Sequence, residues 1–404
     1  MNEQALTGVK IIDLTWHIAG PYCTKLFADY GADVIKIEMP GSGDPARKMG
    51  PFPRNEPHPE KSGLFLYLNT NKRGITVNLK SSTGKKILRE LIRGADILVE
   101  NFSPGVMERL GFGYGEVEKI NPRLVMTSIS NFGQTGPYRD FKMSDTIAFA
   151  MGGAMSQNGV PDREPVAAAR NIKMHECGYL AATATMFSWF GMRKDGIGEH
   201  IDISLMEALL GSSDRRDCYL TTYSYTGDST VRTDPSKFRG RYYPNGPYPC
   251  KDGWVHTMMQ PGDWPGFCRG IGKPEFLSDP RFGNAFDVSL APEVDGAYIA
   301  WLSERNKQEA AEQMQLAGVL CTPFNTPADV FHDPHFKERG FWVEVDHPET
   351  GKLIYPGAPI NMAEGGYQIR RPAPLLGQHN EEILCSDLGY SKQDLVQLRE
   401  MDAI

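Results

Sequence analysis

The first two hundred residues predict an α/β fold with a mostly parallel sheet, on three observations. Short β-branched runs recur, helix-length segments separate them, and glycines punctuate the junctions. Val9-Lys-Ile-Ile-Asp-Leu14 reads as the first strand and Ala19 to Tyr30 as the helix behind it. Pro21 stands near that helix's start, where a missing N–H costs nothing, and Gly31 stands where a C-cap belongs. Ala32-Asp-Val-Ile-Lys-Ile-Glu38 is the next strand. Phe65-Leu-Tyr-Leu68 and Gly74 to Leu79 read as strands, Thr83 to Gly94 as a helix, and Ala95 to Glu100 and Leu124 to Ile129 as strands again. A long Ala/Met/Gly-rich segment then runs to about Gly191, and Ile201 to Leu210 turns from strand to helix. Parallel neighbours need crossover connections, so this alternation implies βαβ units. No GxGxxG follows the first strand, so a dinucleotide fingerprint is absent.

Beyond residue 210 the character changes. Residues 211–250 are rich in Tyr, Arg, Asp, Ser, Gly and Pro and read as a linker with surface loops. Asp252 to Met259 and Gly318 to Phe324 read as strands of a smaller unit with helices between them. Phe341 to Val345 and Lys352 to Tyr355 are further strands, and Glu381 to Leu388 and Lys392 to Glu400 are helical, the latter behind a capping Ser391. The expected division is a large domain over 1–210, a linker over 211–250, a small α/β domain over 251–329, and a return of the chain to the large domain over 330–404. At 404 residues, two domains are the default.

With 43 basic against 50 acidic residues the net charge is -7, which disfavours nucleic acid as a partner but leaves room for a small anion on a local basic patch. Seven scattered cysteines without a CxxC pair suit a reducing compartment. The first residues lack the pattern of a signal peptide, and no apolar run reaches the roughly 18 residues of a membrane span. Cytoplasm is the expected address. The nine histidines show no metal-ligand spacing, and no G-x-S-x-G elbow supports a serine hydrolase.

Asp145 stands out as a lone carboxylate heading the run Thr146-Ile-Ala-Phe-Ala-Met151, shortly after the turn Gly133-Gln-Thr-Gly-Pro-Tyr138. Two readings stand: a helix cap, for which Ser144 and Asp145 both qualify, or a nucleophile toward an already activated acyl group. Two basic spots, Arg47-Lys48 and Asn71-Lys-Arg73, are either solvated faces or phosphate contacts.

Ordered motifs run nearly the whole length: Asp13-Leu-Thr15, Ala19-Gly-Pro21, Gly31 to Glu38, Gly43-Asp44, Asn71 to Arg73, Glu100-Asn-Phe102, Pro104-Gly105, Gly133 to Tyr138, Asp202-Ile-Ser-Leu205, Glu207-Ala208, Pro249 to Trp254, Asp333 to Gly340, Pro356-Gly357 and Arg371 to Gly377. In these the chain resembles the class III coenzyme A transferases, which include formyl-CoA transferase, carnitine CoA-transferase and alpha-methylacyl-CoA racemase. The resemblance implies a Rossmann-like large domain built from both chain ends and a dimer of interlocked rings, as homodimer or as heteromer with a paralogous subunit. It implies Asp145 as the catalytic aspartate, passing through aspartyl anhydride and aspartyl-CoA thioester intermediates. It further implies a CoA-binding set of Arg47, Asn71, Lys72, Arg73, Asn101, Phe102, Arg109, Ser130 and Asn131, with His17 and Ile18 beside the thioester. Acyl-CoA and a free carboxylic acid are then the substrates, with no resident cofactor or metal and no nucleic acid or membrane partner.

Ile18 replaces the glutamine of relatives with formyl and oxalyl substrates, and Trp16, Met143 and Phe149 suggest a pocket for an apolar or aromatic acid. That flavour is similar to the heteromeric branch that carries CoA from succinyl-CoA to benzylsuccinate in anaerobic toluene breakdown. The glycine-rich loop that guards some transferase sites is missing from 211–250. Racemases of the family carry His just before the aspartate and a second aspartate about thirty residues on; here Ser144 and His175 stand there. An acyl-CoA racemase and a non-catalytic partner subunit are the alternatives.

Overall fold

The computed structural model describes residues 3–168, 171–211, 220–228, 243–260, 262–282 and 288–404. Two compact units are present, one comprising Met1–Gln157, Val166–Ser229 and Gly340–Ile404, the other Asn158–Pro165 and Thr230–Arg339. Much of 211–250, read from sequence as linker, lies outside the described residues, as does Cys218.

The first unit is built on six parallel strands: β1 Lys10–Asp13, β2 Asp33–Glu38, β3 Arg73–Thr76, β4 Ile97–Glu100, β5 Val125–Ser130 and β6 Glu199–Ser204. Helices α1 Ala19–Asp29, α2 Gly63–Leu68, α3 Ser82–Arg93, α4 Val106–Leu110, α5 Tyr114–Ile120, α6 Asp145–Met151 and α7 Ile172–Asp195 fall between strands, and α8 Leu205–Gly211 follows the last. The spatial order β3-β2-β1-β4-β5-β6 is that of a doubly wound sheet.

Why this sheet forms is visible in its strands, the inner of which are apolar on both faces. Ile12, Ile35, Ile37, Ile75, Leu98 and Met126 join α3 and α5 in one core cluster, while Ile11, Val34, Ile97, Val99, Val125 and Ile129 join α1 and α7 in another. Each such side chain contributes about 1.5–3 kcal/mol on burial. A slip of one residue would exchange the two faces of a strand, so the pairing register is held from both sides.

The C-terminal segment completes the first cluster with Ile383, Leu384, Leu395 and Leu398. A π-helical turn, Glu382–Asp387, and the helix Lys392–Glu400 carry these residues, the latter begun by a capping box between Ser391 and Asp394. The hairpin β10 Trp342–His347 and β11 Gly351–Pro356 also belongs to this unit. In the second unit, β7 Asn245–Cys250, β8 Gly253–Met258 and β9 Leu320–Pro323 form an antiparallel sheet. It packs with helices Trp264–Gly270, Ala291–Ser303 and Lys307–Leu316 around Phe267, Tyr298 and Met314.

One element departs from expectation. Phe65-Leu-Tyr-Leu68 is not a strand but lies in α2, because the Ser62 hydroxyl accepts the Phe65 N–H at 3.2 Å and caps a helix there. Short apolar runs do not distinguish the two states by periodicity, and the cap was the deciding signal.

After α2 the chain turns through Asn71 at φ +66°. Asn71 donates to Asp29 Oδ1 at 2.7 Å and the Gln368 carbonyl at 2.9 Å, and accepts from the Arg370 amide at 2.6 Å. Arg73 then bridges Asp33 to Glu382 and Asp387. These two residues fasten the C-terminal segment to the outer strands. Asn71→Ala is expected to lower unfolding stability by roughly 2–3 kcal/mol in urea titration, through lost bonds and the positive φ.

Candidate functional site

The order of the parallel sheet reverses between β1 and β4, so the crevice beyond their carboxyl ends is where an open α/β sheet binds its ligand. A cavity of about 530 Å³ opens there. Its walls come from the loop after β1 (His17, Ile18, Ala19), the loop after β4 (Asn101 to Pro104) and the end of β5 (Ile129, Ser130, Asn131). The segment Arg139 to Met143, Met174 of α7 and Leu205 of α8 close the remainder.

A buried charge network shapes the first of these loops. Asp13, at the end of β1, accepts from Thr15 N at 2.8 Å, Thr15 Oγ1 at 2.6 Å, Thr24 Oγ1 at 2.7 Å and Lys72 Nζ at 3.0 Å. Burial works to raise its pKa, but Lys72, Lys36 and the hydroxyls outweigh it and hold the carboxyl below the usual range. Burial pulls the Lys72 ammonium down despite Asp13. Lys36 Nζ pairs with Asp44 at 2.9 Å and donates to the Thr15 carbonyl at 2.8 Å. Asp44 in turn accepts the His17 N–H at 3.0 Å, which fixes His17 at φ +66° with its side chain on the cavity. The opposing loop is tied by Asn101, which donates to the Trp16 carbonyl and accepts the Trp16 N–H, both at 2.8 Å. Trp16 and Phe102 then meet edge to face at 5.5 Å.

Asp145 is the first residue of α6, and Ser144 precedes it as the cap, its hydroxyl accepting the Ile147 N–H at 3.4 Å. The cap of α6 is thus Ser144. Asp145 Oδ1 instead accepts the Met174 N–H at 3.3 Å, at the head of α7, whose own N-cap, Asn171, makes no side-chain capping bond. A carboxylate at the positive end of a 24-residue helix is favourably placed. Asp145 is not itself among the residues lining the cavity, but Met174, its donor, and Met143, two residues before it, are. His175, one residue on, bonds the Asn171 carbonyl at 2.9 Å through Nδ1 and meets Tyr22 edge to face.

Of the residues singled out from sequence, His17, Ile18, Asn101, Phe102, Ser130, Asn131 and Met143 surround this cavity. Trp16 stands behind Phe102, and Phe149 is buried away from the cavity lining. Arg109 lies over Gly105, where a Cβ would stand 3.1 Å from its Nη1. The basic-spot residues Arg47, Asn71, Lys72 and Arg73, expected to bind CoA, are engaged inside the protein. Arg47 is 1% exposed, bonded to both oxygens of Glu38 and to Glu60, with its guanidinium 3.7 Å from the Phe65 ring centre. Lys72 is fully buried on Asp13, Asn71 holds the C-terminal segment, and Arg73 is bonded to three carboxylates. A phosphate would have to displace buried carboxylates to reach Arg47 or Lys72. Charge at the cavity comes instead from half-buried Arg139 and exposed Lys142, which no sequence motif marked although they stand just before Asp145.

Glu100 belongs to the Glu100-Asn-Phe102 motif but carries no role from sequence. It is 3% exposed at the end of β4 and accepts the Phe102 N–H at 2.8 Å. Burial pushes its carboxyl up to about 7, opposed by bonds from Ser128 and Phe102. Nearby, Ser128 Oγ meets His200 Nε2 at 2.9 Å, and His200 stacks on Tyr114. Among the described residues no cluster of three or more His, Cys, Asp or Glu could hold a metal, and no helix is long and apolar enough to cross a membrane.

A doubly wound α/β unit with a ligand cavity at its switch point defines a small-molecule enzyme architecture. The family model described as CoA-transferase family III matches residues 6–380. The chain is 32% identical over 424 residues to a formyl-CoA:oxalate CoA-transferase of Bradyrhizobium diazoefficiens (strain JCM 10833 / BCRC 13528 / IAM 13628 / NBRC 14792 / USDA 110), covering 99% of this chain and 97% of that one. It is also 32% identical over 421 residues to the enzyme of that description from Streptomyces coelicolor (strain ATCC BAA-471 / A3(2) / M145), covering all of both. A CAIB/BAIF family protein from Brucella suis superposes with a TM-score of 0.84 at 27% identity, over 96% of this chain and 100% of that one. A Mycobacterium tuberculosis protein shares the fold at a TM-score of 0.78 and 23% identity, over 94% and 99% of the two chains. The chain belongs to CoA-transferase family III and is a class III CoA-transferase, for which CoA and acyl-CoA are substrates and not resident cofactors.

Two outcomes test the charges around the site. Lys72→Ala leaves Asp13 buried without its cation and is expected to cost roughly 3–5 kcal/mol in denaturant titration. Glu100 binds its proton more tightly folded than unfolded, so its contribution is fully present below the ordinary carboxylate value and is lost as pH rises through about 7. Wild type should therefore lose roughly 2–3 kcal/mol relative to Glu100→Gln between pH 4.5 and pH 8, read from urea midpoints.

Proposed function

We propose that this chain moves CoA from an acyl-CoA donor, succinyl-CoA in the reading offered by the sequence, to an aromatic or apolar dicarboxylic acid such as benzylsuccinate, with Asp145 as nucleophile. The observation that carries this reading is the Asp145 carboxylate, held by the Met174 amide at the head of α7, with Met174 and with Met143, two residues before Asp145, on the switch-point cavity. Ile18, Met143, Met174 and Leu205 give that cavity an apolar side suited to a hydrocarbon acid. The curated relatives are described as acting on formyl-CoA and oxalate, and Ile18 is the residue that argues for a different acid here.

In the proposed reaction an Asp145 oxygen attacks the donor thioester carbonyl and expels CoA thiolate, leaving a mixed anhydride. The thiolate then attacks the aspartyl carbonyl, releasing the donor acid and forming an aspartyl-CoA thioester. The acceptor carboxylate displaces CoA again through a second anhydride, and the thiolate takes the acceptor acyl group, returning the Asp145 carboxylate. Every intermediate stays activated, so no nucleotide hydrolysis is needed, but water must be kept out. The Met174 N–H faces the oxygen on which negative charge gathers during attack on the aspartyl carbonyl. Arg109, Arg139 and Lys142 are the cations available to the phosphates of CoA, with Asn101, Phe102 and Asn131 along its path, Ser130 where that path reaches the acyl group, and His17 by the thioester. Arg47, Asn71, Lys72 and Arg73 contribute by holding the surrounding loops. The working form is a dimer with a second copy or a paralogous subunit, in the cytoplasm where acyl-CoA is made.

One observation favours a second reading, that of a non-catalytic partner subunit: α7 has no side-chain bond from its own N-cap, and capping by Asp145 is reason enough for a carboxylate there. Asp145→Asn separates the two, because an amide oxygen can still accept the Met174 N–H but cannot form the anhydride. With succinyl-CoA and benzylsuccinate, Asp145→Asn is expected to lower CoA exchange by roughly a thousandfold or more, with a CoA adduct on Asp145 found by mass spectrometry only in wild type. Exchange that survives in Asp145→Asn, with no adduct in wild type, would establish the cap and refute the nucleophile.

A further inference from the structure

Strand β5 carries three hydroxyls, and they are not used alike. Thr127 Oγ1 lies 2.7 Å from Thr185 Oγ1 on α7, and Ser128 Oγ meets His200 Nε2 at 2.9 Å. Ser130, two residues on at the cavity, is only 8% exposed, and its Oγ has no hydrogen-bond partner. A buried hydroxyl left unbonded is costly and calls for an explanation. Arg139 Nε on the same cavity also lacks a hydrogen bond, but its side chain is 41% exposed and pairs with Asp140 at 3.6 Å, so the buried hydroxyl is the sharper signal. An unbonded hydroxyl on the cavity indicates that an oxygen of the ligand completes it.

Which oxygen is decided by depth. Lys142 stands in solvent at the rim, whereas Ser130 keeps company with Ile18, Ile129 and Leu205, each no more than 4% exposed. The phosphates of CoA would lose their hydration there, while the short acyl end would not be so penalised. On the reading of this cavity as the acyl-CoA site, we infer that the Ser130 hydroxyl donates a hydrogen bond to a carbonyl or carboxylate oxygen of the acyl group carried on CoA. Ser130 is then a residue that distinguishes acyl-CoA from CoA, not one that grips the nucleotide or the pantetheine arm.

The experiment uses the full-length protein with Asp145→Asn, so that bound acyl-CoA is not consumed, with and without Ser130→Ala. Calorimetric titration with CoA and with succinyl-CoA is expected to show succinyl-CoA binding weakened about five- to tenfold by Ser130→Ala, and CoA binding changed by less than about twofold. The melting temperature of Ser130→Ala should stay level or rise, because the hydroxyl it removes is unbonded. Equal weakening of both ligands, or of neither, overturns the assignment. So does a melting temperature several degrees lower, which would show the hydroxyl to be a structural one satisfied by internal water. Failure of the Ser130-intact protein to bind either ligand would overturn the CoA reading of the cavity itself, and this assignment with it.

Discussion

Asp13, Lys72, Lys36 and Asp44 form a chain of charges in the interior, and the geometry of the site descends from it. Ion pairs of this kind give little net stability, since removing two charges from water costs about what their attraction returns. Their value here is positional. Asp13 turns the chain at the end of β1, and Lys36 holds the Thr15 carbonyl from the neighbouring strand. Asp44 then takes the His17 amide and keeps that residue in a conformation that few side chains other than glycine adopt. Hydrophobic packing alone would leave this loop free to choose among several turns. The charges leave it one, because any other leaves a carboxylate or ammonium buried without its partner.

The cavity follows from the same economy applied to the whole sheet. Strands apolar on both faces need helices on both, and the reversal of strand order at β1 and β4 parts the connecting loops there. Helix α7 packs lengthwise on one face through Cys177, Ala181 and Ala182, small residues that let it approach closely. Its first turn then reaches the cavity, bringing Met174 and its amide to Asp145. A structural requirement of the core and a chemical requirement of the site are therefore met by one helix.

Much of this was legible beforehand, and the parts that were not share a cause. Period and punctuation sufficed for the strands of the parallel sheet and for Ser391 as a cap, because each depends on neighbours close in sequence. The lining residues His17, Ile18, Asn101, Phe102, Ser130 and Asn131 came from motif resemblance, and their convergence on one cavity follows from strand order. What escaped was long-range pairing. Lys72 and Arg47 look like free cations in sequence, since Asp13 and Glu38 lie 59 and 9 residues away and nothing local says that they meet. Glu100 likewise reads as an ordinary strand-end carboxylate until its burial is known. The Phe65 run was misread because a cap at Ser62 outweighs an apolar pattern too short to show a period.

The fastening of residues 368–387 by Asn71 and Arg73 has a consequence for biosynthesis. The two sides of that junction stand 299 residues apart at Asn71 and Arg370 and 314 at Arg73 and Asp387, and most of the second unit falls between them in sequence. During translation the six parallel strands are all made while the segment that covers β3 and one face of the sheet is still unsynthesised. The large unit therefore closes late, after the smaller one has emerged, and until then Arg73 has only Asp33 of its three carboxylates. The residues that line the cavity are all synthesised before the segment that completes the body carrying them.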